Sequence, residues 1–171
     1  MSANLVLIVT GVSGSGKSTI GRALADAFGW TFLEADDFHP ASNIEKMRRS
    51  VALSDDDRVP WLNAMIARLQ QSPEGHVVLA CSALTRAIRA RFRNEAPAEV
   101  VFVYLEAARA RLRQRLIERQ GHFAKAGLLA SQLETLEEPT DALTFDSDDA
   151  PEAVCSRICA QLAERYPAPR A

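Results

Sequence analysis

Residues Gly11-Val12-Ser13-Gly14-Ser15-Gly16-Lys17-Ser18 constrain this chain more than any other stretch of it. They fit the spacing G-x-x-x-x-G-K-[ST] and lie between the apolar run Leu5-Val6-Leu7-Ile8-Val9 and a helical pattern over 18–28, striped by Ile20, Leu24 and Phe28. A strand entering such a turn and a helix leaving it gather backbone N–H groups around one point at the positive end of the helix. The phosphates of a nucleoside triphosphate suit that cradle. Residues 11–18 and Thr19 are the candidate phosphate contacts, with Lys17 reaching the β/γ-phosphates and the Ser18 hydroxyl holding Mg²⁺. A chance match in a chain this long is on the order of one in a hundred.

The rest of the chain alternates short β-type runs with longer helical ones. Strands are expected at 31–33, 76–80, 100–105 and 143–145, and helices at 43–49, 57–71, 85–93, 107–119, 128–136 and 152–165. This alternation predicts a three-layer α/β/α fold around a parallel sheet, and 171 residues suit one domain spanning 1–171. Residues 121–127, bracketed by glycines, interrupt the helical pattern and predict a lid over about 120–127. Arg115 and Arg119, four apart, share a helix face just before it, whereas Arg109, Arg111 and Arg113 read as a solvated face. Arg115 is a candidate nucleotide contact and Arg119 a candidate catalytic arginine.

Composition narrows the partners. Lys and Arg number 20 against 22 Asp and Glu, a net charge of −2, which argues against nucleic acid and anionic membrane. No apolar run approaches the ~18 residues that cross a bilayer, and nothing resembles a targeting segment, so a cytoplasmic location is expected. Cys81, Cys155 and Cys159 lack the spacing of a four-ligand zinc site and read as core thiols.

The phosphate acceptor has to be sought elsewhere. The guanine-reading N-K-x-D is absent, and no apolar strand ends in the Asp of a Walker B motif. Acidic residues instead follow the second strand, as Glu34-Ala35-Asp36-Asp37-Phe38-His39-Pro40. Strand C-termini line the ligand crevice of an open parallel sheet. Glu34 can support Mg²⁺ through water, while Asp36 can accept the proton of an attacking hydroxyl or bind that hydroxyl. A solvated loop is the plainer reading. Asp55 to Asp57 read chiefly as helix-capping carboxylates, with Arg58 beside them in the first turn.

At these residues the chain closely resembles the small gluconokinases. The resemblance rests on residues 11–18, Asp36 with Phe38-His39-Pro40, and Asn43-Ile44-Glu45-Lys46-Met47. It continues through Leu53, Asp55 to Arg58, Pro60-Trp61-Leu62, Cys81-Ser82-Ala83-Leu84, Arg119, Gly121-His122-Phe123, Gln132, Glu134-Thr135-Leu136 and Glu138-Pro139. Glu34 stands where members often carry Asp, Ser50 where they carry Gly, and Ala52 where they carry Pro.

That resemblance implies a fold like that of nucleoside and shikimate kinases, a homodimer, and ATP-dependent phosphorylation of D-gluconate to 6-phospho-D-gluconate. It places Asp36, His39, Arg58, Ser82 and His122 on the acceptor side. The chemistry agrees, since gluconate offers a carboxylate for arginine and hydroxyls for short acids and imidazole. The adenine is expected against 147–151. A kinase for another hydroxy acid such as shikimate, and a nucleotide-binding module without turnover, are the alternatives.

Overall fold

The computed structural model describes residues 4–49, 51–71, 75–118 and 123–165. Within them β1 (Leu5–Thr10), β2 (Thr31–Glu34), β3 (Val77–Ala80), β4 (Glu99–Glu106) and β5 (Leu143–Asp146) form one sheet. All pairings are parallel, in the order β2-β3-β1-β4-β5. The helices are α1 (Lys17–Phe28), α2 (Ala41–Arg48), α3 (Asp55–Gln70), α4 (Arg86–Glu95), α5 (Arg109–Glu118), α6 (Phe123–Thr135) and α7 (Pro151–Arg165), with a 3₁₀ turn at Ala35–Phe38.

The two-residue period of β1 sorts its apolar run into two cores. Leu5, Leu7 and Val9 pack with Ile20 and Leu24 of α1 and with Val154, Ile158 and Leu162 of α7. Val6 and Ile8 face the other way, onto Trp61, Leu62, Met65, Ile66 and Leu69 of α3 and Phe92 of α4. The expected three layers follow from that alternation. A third apolar cluster sits at the C-terminal edge of the sheet, where Val12 meets Leu112 and Leu116 of α5 and Leu129 of α6. Cys81 is buried, and burial pushes its thiol up to about 12, so it stays protonated in the core.

Helices α2, α3, α6 and α7 begin earlier than their patterns announce. The first turn of α3 contains Asp55 to Asp57, and Ser54 caps it: the Ser54 hydroxyl accepts from Asp57 N at 3.2 Å while Asp57 Oδ2 accepts from Ser54 N at 2.9 Å. This reciprocal capping box replaces the role expected of Asp55 and Asp56. The backbone of 123–127, expected as part of a glycine-bracketed loop, forms the first turns of α6. One interior glycine costs a helix only about 1 kcal/mol against alanine, and the flanking apolar stripe of α6 outweighs it. The remainder of that expected lid, 120–122, lies outside the described residues.

Candidate active site

Parallel pairing brings the C-terminal ends of all five strands to one edge, with Glu34 level with Ala80, Val9 with Ala80, and Thr10 with Tyr104. Thr10 leads directly into residues 11–18. A Cβ at Gly11 would come within 2.8 Å of the Leu105 carbonyl, so only glycine lets the loop pass that close to β4. Gly16 stands at the N-cap of α1 in the left-handed conformation, at φ +94°, with no side-chain cap and no acidic residue in the first turn. By contrast, Ser54 caps α3 and Thr85 caps α4. The head of α1 thus carries no side-chain cap, an arrangement that suits an anion.

The loop's own contacts organise that cradle. Lys17 Nζ donates to the Val12 carbonyl at 2.9 Å, and Ser15 N donates to the same carbonyl at 3.2 Å. Arg115, on α5, donates to the Gly14 carbonyl at 3.3 Å and to the Ser147 carbonyl beyond β5. It therefore joins the phosphate-binding loop to 147–151, where the adenine was expected. A small cavity of about 170 Å³ lies there, lined by Gly14, Gly16, Thr19, Arg115, Ser147 and Pro151 among others. Arg109, Arg111 and Arg113 are exposed, as a solvated face requires.

The acidic exit of β2 stands beside this cradle. Glu34 hydrogen-bonds Ser18 and feels the charges of Lys17, Arg22 and Asp36. Burial, with the neighbouring Asp36, raises its carboxyl above the usual range, while Ser18 and the two cations pull it back. A carboxylate joined to the Ser18 hydroxyl is a donor set that fits Mg²⁺, which takes one or two protein oxygens and keeps its waters.

Asp36 projects from the 3₁₀ turn with its side chain 85% exposed, while His39 at 7% is packed flat on Trp61, ring centroids 4.9 Å apart. Trp61 fixes the turn by donating from Nε1 to the Ala35 carbonyl at 2.7 Å. Asn43 Nδ2 donates to the Asp57 carbonyl at 2.8 Å, and its second hydrogen is set toward His39 Nδ1 at 3.3 Å. His39 then carries its proton on Nε2, 4.0 Å from Asp36 Oδ1. Burial lowers the His39 pKa against the pull of Asp36, favouring the neutral ring. Lys46 grips both Asp57 oxygens at 2.7 Å and, with Ser54, holds that carboxyl at about 2, so α2 is tied to the head of α3.

Residues 6–139 match the protein family described as an AAA domain. A gluconokinase from Gluconobacter oxydans is 46% identical over 137 residues, covering 79% of this chain and 76% of its own. The crystal structure of a gluconokinase from Sinorhizobium meliloti superposes with a TM-score of 0.81 at 38% identity, covering 94% of this chain and 97% of that one. The chain belongs to the gluconokinase family. At 15% identity and a TM-score of 0.58, shikimate kinase from Aquifex aeolicus shares the fold.

Of the remaining residues that the gluconokinase resemblance singled out, Arg58 is engaged one turn back by Asp55 at 2.8 Å, on the outer end of α3. The Ser82 carbonyl accepts from the Thr10 hydroxyl, which ties the exit of β3 to the start of the phosphate-binding loop. Arg119 and His122 lie outside the described residues.

Two ties in this gluconokinase-family site have no local signature. Gln132 of α6 accepts from Ser13 N at 2.6 Å. Arg89, only 3% exposed, donates to the carbonyls of Ala83, Leu84 and Glu137 at 3.0, 3.1 and 2.8 Å. It thereby holds the turn after Ser82, where Ala83 adopts a left-handed φ of 39°. Arg89→Met is expected to strand those carbonyls and cost about 3 kcal/mol of stability. A urea midpoint lowered without a change in m-value checks it, and an unchanged midpoint excludes the role.

Proposed function

We propose that this chain transfers the γ-phosphoryl group of ATP to D-gluconate, giving ADP and 6-phospho-D-gluconate. The observation that carries the reading is the meeting of Lys17 and Ser18 with Glu34 and Asp36 at one edge of the sheet. The acceptor follows from the relatives, which are named gluconokinases.

In this reading the uncapped head of α1 and Lys17 take the phosphates, and Ser18 and Glu34 hold Mg²⁺. The metal neutralises charge on the β- and γ-phosphates when bound. Asp36 accepts the proton of the attacking gluconate hydroxyl as its oxygen bonds to phosphorus and the bond to ADP breaks. Neutral His39 and Ser82, with His122, bind acceptor hydroxyls, and Arg58 pairs with the carboxylate. Arg115 steadies the nucleotide side, and Arg119 balances charge on the transferring group. A homodimer in the cytoplasm belongs to the same reading, on the strength of the family. Among the described residues no helix is long and apolar enough to cross a membrane.

The test is an acceptor panel with coupled ADP detection: D-gluconate, other aldonates, shikimate, glucose, AMP and no acceptor. Gluconate is expected to lead. Glucose offers a primary hydroxyl but no carboxylate, so a desolvated arginine would go unpaired and the rate should fall at least about 10²-fold. Activity on shikimate or AMP with none on gluconate would reassign the acceptor. ATP binding with silence on every acceptor would favour a regulatory module.

A further inference from the structure

The contact of Gln132 bears on Lys17 through a single peptide group. The N–H of Ser13 and the C=O of Val12 belong to the same planar unit. Its N–H edge donates to Gln132 Oε1 at 2.6 Å, and its C=O edge accepts from Lys17 Nζ at 2.9 Å and from Ser15 N at 3.2 Å. Rotating this unit would break all three contacts. Gln132 is also a polar residue among apolar neighbours: Leu129 is buried with Val12, and Leu133 and Leu136 pack against the same cluster. Its oxygen reaches the loop across 119 residues of sequence.

We propose that Gln132 is a positioning residue for Lys17: it fixes the Val12–Ser13 peptide, and through that peptide's carbonyl it sets where the lysine amine stands. The inference rests on the phosphate-binding reading of Lys17 above, and not on the identity of the acceptor. It makes the competence of the loop conditional on the docking of α6, since the acceptor oxygen comes from that helix. A residue that merely fills space in the cluster would be replaced by Met or Leu without effect on the phosphates. A residue acting through Lys17 would lose its influence once the amine is gone.

A double-mutant cycle on nucleotide affinity separates the two. ATP binding is measured by calorimetry with Mg²⁺ and no acceptor, on the full chain and on Gln132→Met, Lys17→Ala and the double variant, with melting curves for each. Gln132→Met is expected to weaken ATP about tenfold in the native background and less than twofold in Lys17→Ala. Equal losses in both backgrounds, or no loss in the native one, would overturn the proposal. Should Gln132→Met not fold, Gln132→Ala carries the same cycle, with the same criterion. A chain that binds ATP but leaves gluconate untouched would sink the proposed reaction, and the cycle would still decide the role of Gln132.

Discussion

Lys17→Ala is expected to cut kcat about 10³-fold while the purified chain keeps its fold. Lys17 opens α1 at the mouth of the loop, half-buried, and belongs to none of the three apolar clusters. Its Nζ satisfies one loop carbonyl that Ser15 N also serves, so the loop retains a partner when the amine is removed. In the proposed reaction, what disappears is a compact positive charge beside the group being transferred. Steady-state turnover with far-UV circular dichroism and a melting curve checks both halves. Near-normal kcat would remove these residues from the transfer site.

Asp36→Asn keeps the shape of the side chain and removes its charge. A fall in kcat of about 10²–10⁴ is expected, with ATP affinity little changed, because in the proposed reaction residues on another element hold the nucleotide. The exposure of Asp36 lets a substrate hydroxyl reach it, and the stacked His39 and Trp61 fix the turn that presents it. Phosphoryl transfer through a loose transition state leans less on a base than on placement. An unchanged kcat with a raised gluconate KM would therefore recast Asp36 as a hydroxyl ligand, and the split between the two constants reads out which role it has.

Most of the architecture was legible because each strand announces itself locally. β1 is apolar from Leu5 to Val9, as a strand covered on both faces must be, and the glycines that follow it fit a phosphate-binding turn. The exit of β2 stands out in the sequence as acids and an imidazole clustered at a strand end, and the structure brings Glu34 there beside Ser18 and Lys17. The start of α6 was hidden by glycines that a helix tolerates when one face is buried. The contacts of Gln132 with Ser13 and of Arg89 with Glu137 were hidden for a different reason: the partners lie 119 and 48 residues away, and no period in the sequence encodes a contact made only after the sheet closes. Ser54 was overshadowed by three aspartates behind it, although a serine followed three residues later by an acid is itself a capping signal.

The bare head of α1 has a thermodynamic consequence. A serine or threonine cap contributes roughly a few tenths of a kcal/mol more than glycine, and α3 and α4 each have one where α1 has glycine. The chain thus forgoes that stabilisation at the helix joined most directly to its central strand. Phosphate oxygens can complete the helix from outside, so occupancy and folding become linked equilibria: bound nucleotide adds to the stability of the folded chain in step with its concentration over its dissociation constant.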